Sequence, residues 1–174
     1  MVSKGRALVC MAAFKGFLTN LQASHIVCNT LTELGYEASA LPIGDGGAGT
    51  FYAANIPGEF LEVPTTNPLR KEIASKVLCV PNVHSPQTIY VESSQSCGYT
   101  LIKEIERDVM NASSEGLGRV LAFLFQRFSG PLTIYIGLGD SAIADAGMGM
   151  LSQLGFTFLN GKSKKLSGSA KTLS

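Results

Sequence analysis

The sequence predicts an α/β protein in which a parallel βαβ unit is followed by a mixed-sheet region. Three observations carry that expectation. An apolar run at Ala7–Ala12, an apolar stripe at Ala23, Val27, Leu31 and Leu34, and a strand-like run at Glu37–Ile43 follow one another. That is the order of a right-handed strand–helix–strand crossover. Three more strand-like runs then come without helical spacing between them, as antiparallel or mixed pairing requires. Finally, glycine-dense loops stand at two strand-to-helix junctions, the places where parallel sheets gather ligands.

Taken in order, Ala7–Ala12 is short and continuously apolar, the pattern of a strand buried on both faces. Thr19 can cap a helix running to Leu34, and Gly35 supplies its stop. Glu37–Ile43 returns as a parallel strand. The loop Gly44–Thr50 opens a short helical Phe51–Asn55. Glu59–Val63, Ile73–Val80 and Gln87–Glu92 are strands set apart by Pro, Asn and Ser turns. Ser113–Phe128 reads as a helix, Leu132–Ile136 as a buried strand and Ala142–Leu154 as a further helix, with Phe156–Leu159 opening one more strand. This divides the chain at about residue 64 into a parallel part and a mixed-sheet part that ends in a strand–loop–helix. Lys162, Lys164, Lys165 and Lys171 punctuate a Ser/Gly-rich tail with no acid after Asp145. That tail reads as a frayed terminus or as a basic anion-binding segment.

Composition narrows the function. Of 174 residues, 45% are hydrophobic and 16% charged, against roughly 25% charged in an average domain. Disordered tails and solvated coiled coils are excluded, because both need more charge. A net charge of +1 gives no electrostatic footprint for nucleic acid or an acidic membrane surface. Cys10, Cys28, Cys79 and Cys97 form no C-x-x-C, and with His25 and His84 they make no zinc-ligand spacing. Lys4 and Arg6 ahead of Ala7–Phe14 imitate a signal peptide, but Lys15 follows directly and no small-x-small site closes the run. No stretch reaches the ~20 apolar residues of a membrane helix. A cytoplasmic location is therefore expected.

The glycine loops admit several chemistries. Gly44-Asp45-Gly46-Gly47-Ala48-Gly49-Thr50 has the outer spacing of a P-loop, but Thr50 stands where the lysine belongs. Gly137-Leu138-Gly139-Asp140-Ser141-Ala142 matches G-x-G-x-x-A, yet no acid follows at the ribose distance. Ser141 as a hydrolase nucleophile lacks a histidine base, since His25 and His84 lie far earlier. Phosphoryl transfer without a Walker motif remains. It needs cationic and N–H contacts to phosphate and a carboxylate for Mg²⁺ or for the attacking hydroxyl. Lys15, Asp45 and Asp145, each beyond a strand end, can supply these. Each has a plainer alternative: a solvated loop lysine, a turn aspartate steadying Gly46, and a first-turn helix acid.

These residues also resemble a known family. Ala13-Phe14-Lys15-Gly16 is similar to the Ser-Phe-Lys-Gly opening of the bacterial-type glycerate kinases. Pro42–Thr50 resembles that family's Pro-x-Ala-Asp-Gly-Gly-Glu-Gly-Thr, and Thr66-Asn67-Pro68-Leu69 its Thr-Gly-Pro-Leu turn. Glu92 with Ser96-Cys97-Gly98 resembles Glu-Met-Ala…Ala-Ser-Gly, and Ser113–Gly118 resembles Thr-Ser-x-Gly-x-Gly. Ile136–Leu151 resembles the signature Gly-Ile-Gly-Gly-Ser-Ala-Thr-Asn-Asp-Gly-Gly-Ala-Gly-Met-Leu.

The resemblance covers nearly the whole chain, in order, and matches the family's N-terminal half. It implies transfer of the ATP γ-phosphate to glycerate with Mg²⁺, in a cleft between a parallel-sheet and a mixed-sheet domain. In that picture Lys15 meets phosphate or the glycerate carboxylate, and Asp45 binds Mg²⁺ or orients the hydroxyl. Asp145 assists, and Gly46, Gly47 and Thr50 form a cradle. Arg70 anchors a carboxylate, and Gly137, Gly139 and Ser141 contact nucleotide. The chain departs from the pattern at Ala48, which replaces a Glu, and at Asp140, Ala144 and Ala146, which replace a Gly, an Asn and a Gly. Asp140 is expected to repel phosphate, since no Lys or Arg compensates it, the opposing reading being that it recruits Mg²⁺. Members of the family are also considerably longer. The chain is therefore either a piece of a kinase or a non-catalytic binding module, with self-association through an incomplete cleft as the feature to look for.

Overall fold

Strand β1 (Arg6–Val9) and strand β2 (Glu37–Ala40) pair in parallel, Arg6 opposite Glu37 and Val9 opposite Ala40. A computed structural model describes residues 4–14, 16–81 and 87–173, and within it this pair forms a sheet of its own. Helix α1 (Asn20–Glu33) makes the crossover. Its start follows from sequence: Thr19 accepts from the Gln22 N–H while the Gln22 side chain takes the Thr19 N–H, a reciprocal cap. Both strands are shorter than the apolar runs suggest, although Leu41 N–H still donates to the Val9 carbonyl (2.8 Å) and Ile43 N–H to the Met11 carbonyl (3.1 Å) as the two segments enter their loops.

The parallel unit is thinly covered. Of the α1 stripe only Ala23 is buried, while Val27 is 36% and Leu34 53% exposed. On the outer face Leu8 is 65% exposed. Parallel strands are ordinarily buried on both faces, and among the described residues nothing layers over this apolar surface.

Helix α2 (Thr50–Ala53) leads into a second sheet of four strands. β3 (Glu59–Thr66) and β4 (Glu72–Val80) are antiparallel, as are β4 and β5 (Gln87–Glu92). β3 belongs wholly to this sheet, so its first strand begins at Glu59. After the short helix α3 (Ser94–Cys97), helix α4 (Glu115–Arg127) crosses over to β6 (Leu132–Gly137), which pairs with β5 in parallel. The sheet is therefore mixed, as expected.

The core lies here. Val63, Val77, Ile89 and Val91 pack against Leu117, Val120 and Leu124 of α4. Strand alternation sends Tyr90 and Glu92 to the opposite face, where Phe51 of α2 meets the Tyr90 ring at 5.4 Å and Tyr135 stacks on it at 5.0 Å.

Two expected elements differ. The helix expected over Ala142–Leu154 is confined to α5 (Met148–Gln153). Ala146 and Gly147 have φ of +51° and +75°, left-handed values that a right-handed helix cannot contain. Phe156–Leu159 forms no strand; only Leu159 and Lys165 bridge. Among the described residues, no helix is long and apolar enough to cross a membrane.

Candidate functional site

Two glycine loops, one leaving β2 and one leaving β6, press against each other. A Cβ on Gly137 would stand 2.7 Å from the Gly46 oxygen, and one on Gly139 2.5 Å from the Gly47 nitrogen. Both approaches are closer than real Cβ atoms make, so glycine is what lets the two backbones touch. The contact joins the parallel unit to the mixed sheet. Beside it lies a cleft of about 270 Å³ lined by Phe14, Gly16, Thr19, Ala48, Tyr99 and Asp140, among others. Tyr99 is held there through the Asp140 carbonyl, which accepts its N–H at 3.0 Å. The Arg107 guanidinium lies over the Tyr99 ring, 5.7 Å from its centre.

The first loop is not an open phosphate cradle. Each N–H from 46 to 51 already has an acceptor within the chain. Gly46 N–H donates to Thr50 Oγ1 (3.1 Å), Gly47 to Asp45 Oδ1 (2.9 Å) and Ala48 to Asp140 Oδ2 (3.1 Å). Gly49 donates to Glu92 Oε2 (3.1 Å), Thr50 to the Gly47 carbonyl (3.3 Å) and Phe51 to Glu92 Oε1 (2.9 Å). Helix α2 has glycine at its N-cap and no side-chain cap of its own, and Glu92 supplies one from β5. That carboxylate is 2% exposed, and the sequence reading does not single it out as a site residue. The signal is there, since alternation past Tyr90 carries position 92 to the α2 face.

Asp145 does for the second loop what Glu92 does for the first. It is fully buried. Its Oδ2 accepts from Ser114 N–H and Oγ, both at 2.8 Å, and from Gly149 N–H at 3.0 Å, while Oδ1 accepts from Gly147 N–H at 3.1 Å. Neither the Ser114 cap of α4 nor the Gly147 cap of α5 has a side-chain hydrogen bond of its own. One buried carboxylate thus satisfies both helix starts. This is the plainer reading of Asp145 as a helix acid, extended to two helices.

The other site residues divide between cleft and scaffold. Asp45 is exposed, and its carboxylate and that of Asp140 converge on the side of Gly47 where a Cβ would be. Arg70 is engaged elsewhere: its guanidinium meets Glu115 Oε2 and the Asn111 carbonyl, both at 3.1 Å, and the Gly168 carbonyl at 3.3 Å. Ser141 is exposed, with Oγ accepting from Ile143 N–H. Gly137, Gly139, Gly46 and Gly47 meet in the loop contact. Lys15 lies outside the described residues, although its neighbours Phe14 and Gly16 line the cleft. His84, considered as a base, also lies outside them.

Mg²⁺ is held through one or two carboxylates together with substrate phosphates and water, not in an all-protein cage. Asp45 and Asp140 over Gly47 fit that demand. Among the described residues no group of three or more His, Cys, Asp or Glu gathers as a full metal cage.

Comparisons with known proteins point one way. The model of the Glycerate kinase family matches residues 7–174. A glycerate kinase of Bacillus cereus is 30% identical over 135 residues, covering 76% of this chain and 34% of that protein. A glycerate 2-kinase of Escherichia coli is 31% identical over 119 residues, 67% of this chain and 30% of its own length. An uncharacterized Synechocystis protein matches 95% of the chain at 27% identity, over 44% of its own length. A solved Salmonella typhimurium structure described as glycerate kinase 2 shares the fold, with a TM-score of 0.67 at 20% identity, covering 99% of this chain and 46% of that one. The chain therefore spans less than half the length of the relatives it matches.

Proposed function

The chain belongs to the glycerate kinase family, and from that footing we propose that it carries the cleft half of a phosphotransferase moving the ATP γ-phosphate to a hydroxyl of glycerate. The observation that supports this reading is convergence. Four segments widely separated in sequence, around Phe14, Ala48, Tyr99 and Asp140, line one cleft, and they lie in or beside the segments that resemble the family's motifs.

The roles follow from chemistry. Phosphoryl transfer asks a protein for position and charge, with little covalent work. Lys15, by the resemblance, meets phosphate or the glycerate carboxylate. Asp45, with one oxygen held by Gly47 N–H, presents the rest of its carboxylate to the attacking hydroxyl or to Mg²⁺. Held by Asp45 and Asp140, Mg²⁺ would supply positive charge to offset that of the phosphates. Because the loop amides are already bonded internally, phosphate recognition falls to side chains rather than to a nest of N–H groups.

A thermal shift with ATP, ADP and glycerate at millimolar concentration tests the binding step. Ligand at about 100 Kd raises stability by about 2.7 kcal/mol, and no shift with any of them sinks the proposal. ADP release with glycerate and Mg·ATP tests the transfer itself. The exposed apolar face of α1 and β1 favours a second reading, an interaction module. Sedimentation showing concentration-dependent self-association without any nucleotide effect would select it.

A further inference from the structure

Two of the chain's departures from the family pattern, 92 residues apart in sequence, touch each other in the fold. Position 48 carries Ala where the pattern has Glu, and position 140 carries Asp where the pattern has Gly. The Ala48 N–H donates to Asp140 Oδ2 at 3.1 Å, and both residues line the same cleft. Ala48 is exposed, so a glutamate there would extend into that space. We propose that positions 48 and 140 form a single carboxylate slot beside Asp45, filled here from the second glycine loop by Asp140, which positions the first loop. The inference rests on family membership and not on turnover.

The geometry makes two pairings self-consistent and two not. As the chain stands, the Asp140 carboxylate lies beside Asp45 and accepts the Ala48 N–H. In the double variant Ala48→Glu/Asp140→Gly the carboxylate comes from the first loop instead, and the +53° φ of position 140 suits glycine. In Asp140→Gly alone the slot is empty, and the Ala48 amide loses this acceptor. In Ala48→Glu alone three acids crowd Gly47, whose added Cβ would already meet both Asp45 and Asp140. Repulsion among them is the specific consequence. Asp140 is thus a relocation of charge within the slot.

The test is a double-mutant cycle on the ligand-free chain by urea denaturation. Ala48→Glu is made with Asp140, with Asp140→Gly and with Asp140→Asn. The expected result is a cost of about tenfold in the folding equilibrium with Asp140 present, falling to about twofold or less with glycine or asparagine. The coupling shrinks when salt is raised from about 10 mM to about 0.5 M, because it is a charge effect; a steric clash would not respond. If Ala48→Glu alone does not fold, the neutral Ala48→Gln must fold beside Asp140, and Ala48→Glu/Asp140→Gly must fold too. Equal cost in all three backgrounds, or a salt-independent coupling, overturns the proposal. Thermal shifts with Mg·ATP on the same variants report separately on kinase binding: no shift in any of them undermines the proposed function and leaves the coupling result standing.

Discussion

Asp145→Asn separates a scaffold acid from a catalytic one, because the two roles predict opposite signatures. The side chain is fully buried, and its oxygens face donors only: three contacts within 3.0 Å on Oδ2 and one at 3.1 Å on Oδ1. Asparagine must place its NH₂ at one of the two oxygen positions. At Oδ2 it would oppose Ser114 and Gly149 together, so it turns towards Gly147, which loses its acceptor. Charge-assisted hydrogen bonds contribute about 1.5–3 kcal/mol each, so the least cost is about 2 kcal/mol. Asp145→Ala releases every contact and uncaps α4 and α5 together, for about 4–5 kcal/mol, in the diagnostic tail of point mutations. At about 2–4 °C per kcal/mol for a chain of this size, Asp145→Asn lowers Tm by about 4–8 °C. Urea denaturation with an unchanged slope is the assay. Wild-type stability in Asp145→Asn would show that the buried contacts contribute nothing and would return Asp145 to the reacting site.

Ala146→Gly should stabilise the chain by about 1 kcal/mol, since Ala146 is exposed at φ +51° and a left-handed backbone costs a Cβ-bearing residue about 1–2 kcal/mol; an unchanged urea midpoint contradicts this. Arg70→Ala should loosen the segment around Gly168, whose carbonyl Arg70 holds, and limited proteolysis should then cut first within residues 160–173. An unaltered cleavage pattern would free Arg70 for the anchoring role. The Cys97 thiol is pushed above its ordinary pKa chiefly by burial, so it stays neutral while an unfolded thiol ionises. The stability this gives is complete below the unfolded thiol's pKa and is lost as pH rises through the folded one. At about pH 8, near the ordinary thiol pKa, thiol reagents should therefore modify exposed Cys10 first and Cys97 only on unfolding; early modification of Cys97 would mean that its cover opens readily.

What the sequence disclosed, it disclosed through local physics. The Thr19 cap, the Gly35 stop and the strand alternation at Gln87–Glu92 are decided within a few residues, and the structure repeats them. The break that confines the helix expected over Ala142–Leu154 to Met148–Gln153 is not legible in this way. The first half of that stretch is held by Asp145 reaching Ser114, 31 residues away, and no local propensity reports a bond of that span. The α1 stripe was legible as a pattern but not as burial, because periodicity says which face is apolar and not whether anything covers it. Val27 and Leu34 show the difference.

The glycine loops make the same point at the candidate site. A run of glycines after a strand removes side chains from a backbone, and that absence serves an incoming phosphate or an incoming peptide equally well. Sequence favours the phosphate, because phosphate cradles are the familiar use. Here Gly137 and Gly139 admit the backbone of Gly46 and Gly47 instead, and the loop's donors turn to Asp45, Asp140 and Glu92. Asp140 and Glu92 each do two things at once: they satisfy a donor and set the place of the loop that carries Asp45. Glu92 does so from a buried strand end and Asp140 from the far side of the cleft. The loop is thereby clamped between the two sheets, and the position of Asp45 depends on both. A buried glutamate outside the cleft lining can therefore set where Asp45 stands. Glu92→Gln must turn its NH₂ on the N–H of Gly49 or of Phe51, so amide exchange should quicken across Gly49–Phe51, and unchanged exchange there would show that Glu92 does not hold the loop.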